Sequence, residues 1–227
     1  MEDVGKTPPE ETSDGQTLTS INALSVLGLL SVAPMTAYGL AEQIQRALSF
    51  LWPVSRSLLL GQPKKLAEAG LVETLPPAPG SRASKRWAAT ETGRAVFRKW
   101  LSTDVETTRI SSEIGLRLVF SDQGSLESLQ RQLEIRRQQI IENYRQALAL
   151  TDGYLANQGP FPGRLHIIAA TLLLTEGHAE GELRGVEAAQ TLVETWADTT
   201  TPEPARDLAV IEQVRERILE TLARLEA

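Results

Sequence analysis

Cysteine is absent from the 227 residues, so neither a disulfide framework nor a thiolate metal site can form. That absence is compatible with a reducing compartment, and a cytoplasmic location is expected. Histidine occurs only at positions 166 and 178, and His166 and His178 lack the spacing of a metal-ligand pair. No phosphate-binding glycine loop occurs, and carboxylates such as Glu182 and Glu187 are scattered. No catalytic residue, metal or cofactor is therefore expected, and the chain reads as a non-enzyme. The apolar run 167–174 falls short of the roughly 18 residues that a membrane-spanning helix needs. No basic-plus-apolar leader is recognised at the N-terminus, so no membrane partner is expected.

What is present is charge, unevenly placed. The net charge is −6, which by itself argues against a nucleic-acid partner. Residues 22–101, however, hold ten Lys/Arg against four Asp/Glu, net +6. Residues 1–21 hold one Lys against five acids, and residues 102–227 hold twelve basic against twenty acidic residues. A basic segment between two acidic ones points to a local polyanion-binding face.

Residues 1–17 are polar, with Pro8-Pro9 and several acids, and read as a disordered tail. Ile21, Leu24, Leu27 and Leu30 recur on a helical period over 21–31, and Pro34 ends that helix. Thr36 is placed to cap a second helix through Tyr38, Leu40, Ile44 and Leu48. An apolar turn, 48–53, leads to a third helix. There Ser55 is placed to cap, Leu58, Leu59 and Leu66 to face the core, and Arg56, Lys64 and Lys65 to face outward. Gly70 stands where a left-handed residue closes that helix. Residues 71–75 and 85–89 read as two short strands of a hairpin, with Arg82, Lys85 and Arg86 about its tip and Trp52 and Trp87 in its core. Thr90 is placed to cap a fourth helix to Leu101, with Val96, Phe97, Trp100 and Leu101 on its apolar side.

The order helix, helix, helix, strand, strand, helix over 18–102 is that of a winged helix-turn-helix domain. The fold class expected is mostly α, with an all-helical C-terminal dimerisation domain over 103–227. Its helices are expected at 112–120, from Ser125 onward, from Pro162 to about Trp196, and at 205–225. Gly177, Gly181 and Gly185 share one helical face, which suggests close packing against that backbone. Leu208, Ile211, Ile218, Leu222 and Leu225 form a seam. It suits a second copy, as a coiled coil would use it, and it equally suits antiparallel packing on its own domain. A homodimer also fits helix-turn-helix readers of two half-sites about 34–36 Å apart.

Several stretches together resemble the PadR-like transcriptional regulators. These are LSVLGLL (24–30), PMTAYGL (34–40), FLWPVSRS (50–57), KKLAEAGLV (64–72) and TETGR (90–94). The resemblance implies a homodimeric winged-helix repressor that binds double-stranded promoter DNA. It also implies release by a small-molecule effector, of phenolic or aromatic type. By position, the third helix would read the major groove through Ser55, Arg56, Ser57 and Lys64, with Lys65 beside them on phosphate. Arg82, Lys85 and Arg86 would be the wing's contacts, and Tyr38 would stand on the DNA side. Trp100 lies where the family's dimer interface can leave a ligand cavity.

This sequence departs from the family pattern at Ala37, Leu60, Gly61 and Pro63. A proline past the first turn removes a hydrogen bond and costs about 3 kcal/mol. The third helix should therefore be broken near Gly61-Gln62, or restart with Pro63 in its first turn. Two functions follow: a DNA-reading regulator, or a winged-helix protein that has lost specific reading and serves as an interaction or ligand-sensing module.

Overall fold

A computed structural model of the chain describes residues 20–48, 54–76, 85–108 and 111–227. The tail 1–17, Trp52 and Arg82 lie outside the described residues. The chain divides into two compact units, 1–108 and 109–227.

The first unit is built on helix α1 (Ile21–Val32), whose Ser20 hydroxyl accepts from the Ala23 N–H at 3.2 Å. Ala23, Leu24, Val26, Leu27 and Leu30 of α1 are buried, whereas Ile21, on the same expected stripe, is 39% exposed. A two-residue strand follows, β1 (Met35–Thr36), which periodicity could not reveal. Thr36 then caps α2 (Ala37–Leu48), accepting from the Gly39 N–H at 3.0 Å, and Leu40, Ala41 and Ile44 turn inward. The expected third helix is two short ones, α3 (Arg56–Leu60) and α4 (Gln62–Glu68). Strands β2 (Val72–Leu75) and β3 (Arg86–Ala89) complete an antiparallel sheet of order β1-β3-β2, with Met35 opposite Trp87 and Val72 opposite Ala89. Helix α5 (Glu91–Leu101) closes the unit.

One knot fixes the wing to the helices. Gly70 has φ 70°, the left-handed turn that ends α4. Its carbonyl accepts from the Thr90 hydroxyl at 2.8 Å, and that hydroxyl caps α5 by accepting from the Gly93 N–H at 3.0 Å. A Cβ at Gly93 would collide with the Leu71 carbonyl oxygen. The start of α5 is thus held directly against the start of β2.

The second unit begins with α6 (Glu113–Val119), capped by Ser112, and a 3₁₀ turn over Ser121–Gln123. Ser125 caps α7 (Leu126–Leu155), and its hydroxyl accepts from the Ser128 N–H at 3.2 Å. Pro162 opens a 3₁₀ turn rather than the long helix itself, which is α8 (Leu165–Val193). Helix α9 (Pro204–Leu225) ends the chain. Helices α7 and α8 pack together through Leu129, Leu133 and Ile140 against Val186 and Val193, with Ile114 and Leu118 of α6 alongside. Two ion pairs cross the same seam, Arg136–Glu182 at 2.6 Å and Arg137–Glu187 at 3.2 Å. Among the described residues no helix is long and apolar enough to cross a membrane.

Candidate nucleic-acid interface

The break in the third helix follows from Pro63. Proline has no N–H to continue the ladder, and here it occupies the first turn of α4, where none is needed. The carbonyl of Leu59, which a residue-63 N–H would have served, accepts from the Gly61 N–H, and beside it Gln62 Nε2 donates to the Leu58 carbonyl at 3.3 Å. Gln62 is itself 7% exposed, and its Oε1 has no partner among the described residues. Sequence reading missed Gln62. The signal was available, because an amide side chain at the end of a helical turn can reach back to a carbonyl four residues earlier.

The break divides the helix without changing its phase. Leu59, Gln62, Pro63 and Leu66 are all buried, at steps of three and four residues, so α3 and α4 present one continuous inner stripe. Pro63 sits in that stripe as an apolar core residue. Ser57, Gly61, Lys64, Lys65 and Glu68 are left on the exposed outer face. Two expectations fail here. Leu58, expected in the core, is 55% exposed, because it lies about 100° around the helix from Leu59 and the stripe is centred on Leu59. Ser55 holds the N-cap position, but its hydroxyl lies 3.1 Å from that of Ser57 and accepts from no first-turn N–H.

The basic side chains are arranged differently from one another. Lys64 and Lys65 stand exposed. Lys64 meets Glu68 at 3.9 Å in a solvent-screened pair of little energetic weight. Arg56 does not extend outward. Its guanidinium lies over the Tyr38 ring, 4.0 Å from the centroid, and its Nη2 is covered with no hydrogen-bond partner among the described residues. Tyr38, at the start of α2, is itself 62% exposed, so the two make one stacked unit at the rim of the face. On the wing, Lys85 Nζ lies 4.5 Å over the Trp87 ring, and Arg86 Nε donates to the Pro76 carbonyl at 3.2 Å. Trp87 is half-buried against the core, as expected of it. Trp100 is 38% exposed beside Phe97, their ring centroids 5.5 Å apart. Among the described residues no group of three or more His, Cys, Asp or Glu is placed to hold a metal ion.

The second unit has a different unpaired surface. No residue of α9 is buried, and Leu208, Ile211, Ile218, Leu222 and Leu225 all face solvent. The alternative of packing on its own domain is thus not taken up among the described residues. Among the described residues the N-terminal end of α9 is tied to the turn that ends the preceding helix, where Arg206 donates to the Thr195 carbonyl at 3.0 Å. The first half of α8 is likewise unburied, with Leu173 and Leu174 exposed. A Cβ added at Gly177, Gly181 or Gly185 would meet nothing within 4 Å, so the close packing expected on that stripe is not supplied by the described part of this chain.

Helices α1 and α2, the divided helix α3–α4, the β2–β3 hairpin and the closing helix α5 define the first unit as a winged helix, followed by an all-helical unit. That combination is the fold of the PadR-like transcriptional regulators. The chain is similar to the PadR-like transcriptional regulator BC1756 from Bacillus cereus, at 14% identity and a TM-score of 0.62, over 76% of this chain and 98% of that one. It is similar to Bacillus subtilis PadR in complex with operator DNA, at 15% identity and a TM-score of 0.61, over 77% and 99%. The same B. subtilis protein bound to p-coumaric acid matches at 16% identity and a TM-score of 0.53, over 77% and 99%. The Vibrio cholerae virulence activator AphA matches at 16% identity and a TM-score of 0.61, over 76% and 98%. These neighbours are transcriptional regulators rather than enzymes. Neither a family model nor a curated protein matches the sequence.

Proposed function

We propose that this protein is a homodimeric DNA-binding transcriptional repressor, with 18–102 as its DNA-binding domain and 103–227 as its dimerisation domain. The observation that carries the reading is the unbroken phase of α3 and α4, which keeps Ser57, Lys64 and Lys65 on one exposed face although Pro63 divides the helix. Lysines on such a face neutralise phosphate and give salt-dependent affinity, while arginine at the N-terminal end of a groove helix can reach guanine edges. Arg56 is the candidate reader, held ready on Tyr38, and Ser55 and Ser57 are short donors beside it. Lys85, Arg86 and Arg82 are the wing's candidates for backbone contact. The second copy would cover the apolar faces of α9 and of the first half of α8, which no residue described here covers.

An aromatic or phenolic acid is the effector class that we assign to release, on the analogy of the neighbour solved with p-coumaric acid. Trp100, partly open beside Phe97, is the ring we assign to it. Fluorescence anisotropy against duplexes from the promoter of its own gene, in a salt series, tests the central reading. Expected are a steep fall of affinity with salt, preference over unrelated DNA, and loss of that preference in Arg56→Ala. The second reading, an interaction module without DNA reading, is favoured by the exposure of Leu58 and Leu60. It would be left standing by the absence of binding at low salt.

A further inference from the structure

The outer face of α3 and α4 carries apolar side chains that a purely phosphate-binding surface has no use for. Leu58 is 55% and Leu60 43% exposed, on the same five-residue helix as Arg56 and Ser57. They flank the outer line of Ser57, Gly61 and Lys64 on its two sides, because each lies about 100° around the helix from the inward Leu59. Gly61, between them in the outward direction, has no side chain, and a Cβ there would meet nothing within 4 Å. The result is a shallow surface with an apolar group on each flank, a bare backbone in the middle, and Lys64 and Lys65 immediately after it.

We propose that this face reads thymine by its methyl groups: Leu58 and Leu60 meet the C5-methyls of thymines in the major groove, and Gly61 lets the helix backbone close on the base edges between them. The inference rests on the reading of the protein as a DNA binder and names the chemistry that the face selects. Among base edges in the major groove the thymine methyl is the apolar one, so exposed leucines on a groove-facing helix have one natural counterpart there. The neighbouring lysines require a polyanion. Duplex RNA does not meet both conditions, since uracil lacks the methyl and the A-form major groove is too narrow to read. DNA is therefore the occupant that supplies phosphates and methyls together.

The test uses the full-length protein and duplexes recovered from a random-sequence DNA pool. In the recovered sequences, each thymine of the half-site is replaced by deoxyuridine, which removes only the methyl, and affinity is followed by anisotropy. Removing one contacted methyl should weaken binding roughly fourfold, the equivalent of one buried methylene-sized group. Deoxyuridine outside the half-site should change nothing. The Leu58→Ser/Leu60→Ser variant should bind thymine and uracil duplexes alike while keeping its salt-dependent affinity for unrelated DNA. Both residues are exposed, so this variant should keep its circular dichroism spectrum. Equal binding of thymine and uracil duplexes by the unmodified protein, or a recovered consensus without thymine, overturns the inference and leaves the DNA-binding reading intact. Recovery of no duplex at low salt overturns both.

Discussion

The two units treat apolar surface in opposite ways. In the first, Val26, Leu27, Leu40, Ile44 and Leu59 are fully buried in a core shared by helices α1 to α4 and the sheet. In the second, α7 and α8 share a narrower seam of five buried residues, and α9 buries none, although its leucines and isoleucines are as regularly spaced. Regular spacing therefore says that a face is apolar; what covers it is a separate matter. A unit that buries its own stripe is expected to resist mutation as a folded monomer would. A helix that leaves its stripe open is expected to respond through association.

The sharpest way to break this contrast is to place charge on α9. Ile211→Glu with Ile218→Glu should convert the proposed dimer to a monomer, since a charge left unpaired in an interface costs about 2–5 kcal/mol. Both units should still unfold cooperatively. Sedimentation velocity reads the outcome, and a variant that still sediments as a dimer would place association elsewhere. Next in size is the first unit's own core, where Leu27→Ala should lower stability by about 2–5 kcal/mol without changing the association state. Denaturant titration checks it, and a loss under 1 kcal/mol would mean that this core is looser than its burial implies.

The break between α3 and α4 offers a gain in place of a loss. Gly61 has φ −81° and open space where a Cβ would stand, so Gly61→Ala should stabilise by about 0.5–1 kcal/mol. By the argument made for thymine reading, the same change should weaken specific DNA binding. Stability and affinity moving together would contradict it. The smallest effect belongs to Asp198, whose carboxylate is held down at about 2, chiefly by the backbone N–H of Thr200 and then by Thr201. A depressed carboxylate stabilises the folded state above its unfolded value of 3.8, and that contribution is lost as pH falls through about 2. Asp198→Asn should therefore narrow the difference in melting temperature between pH 5 and pH 2, and should leave the first unit's melting unchanged.

Much of the fold was legible in short-range chemistry. Thr36 and Thr90 cap the helices that the sequence places after them, because a cap needs only a hydroxyl and an N–H three residues on, although Ser55, read in the same way, holds its N-cap position without that bond. Gly70 takes its left-handed turn for an equally local reason, and Pro63 broke its helix as a proline must. The site was less legible. The four lysines and arginines of α3–α4 and β3 could be found by charge alone, yet Arg56 folds onto Tyr38 and Arg86 onto the Pro76 carbonyl. Both choices depend on what another element brings within reach. Strand β1, two residues long, carries no periodicity and exists only because β3 lies beside it.

The sequence by itself determined where the second and fourth helices of the first unit start, that Pro63 divides the third one, and that the positive charge gathers in the first unit. These follow from chain stiffness, missing donors and composition, which act over a few residues. The tertiary structure alone decided that Leu59 and not Leu58 centres the core, that Arg56 lies over Tyr38, and that the stripe on α9 is left uncovered by the described residues. Burial is a competition among all faces for the same interior, and its result depends on residues far away in the chain.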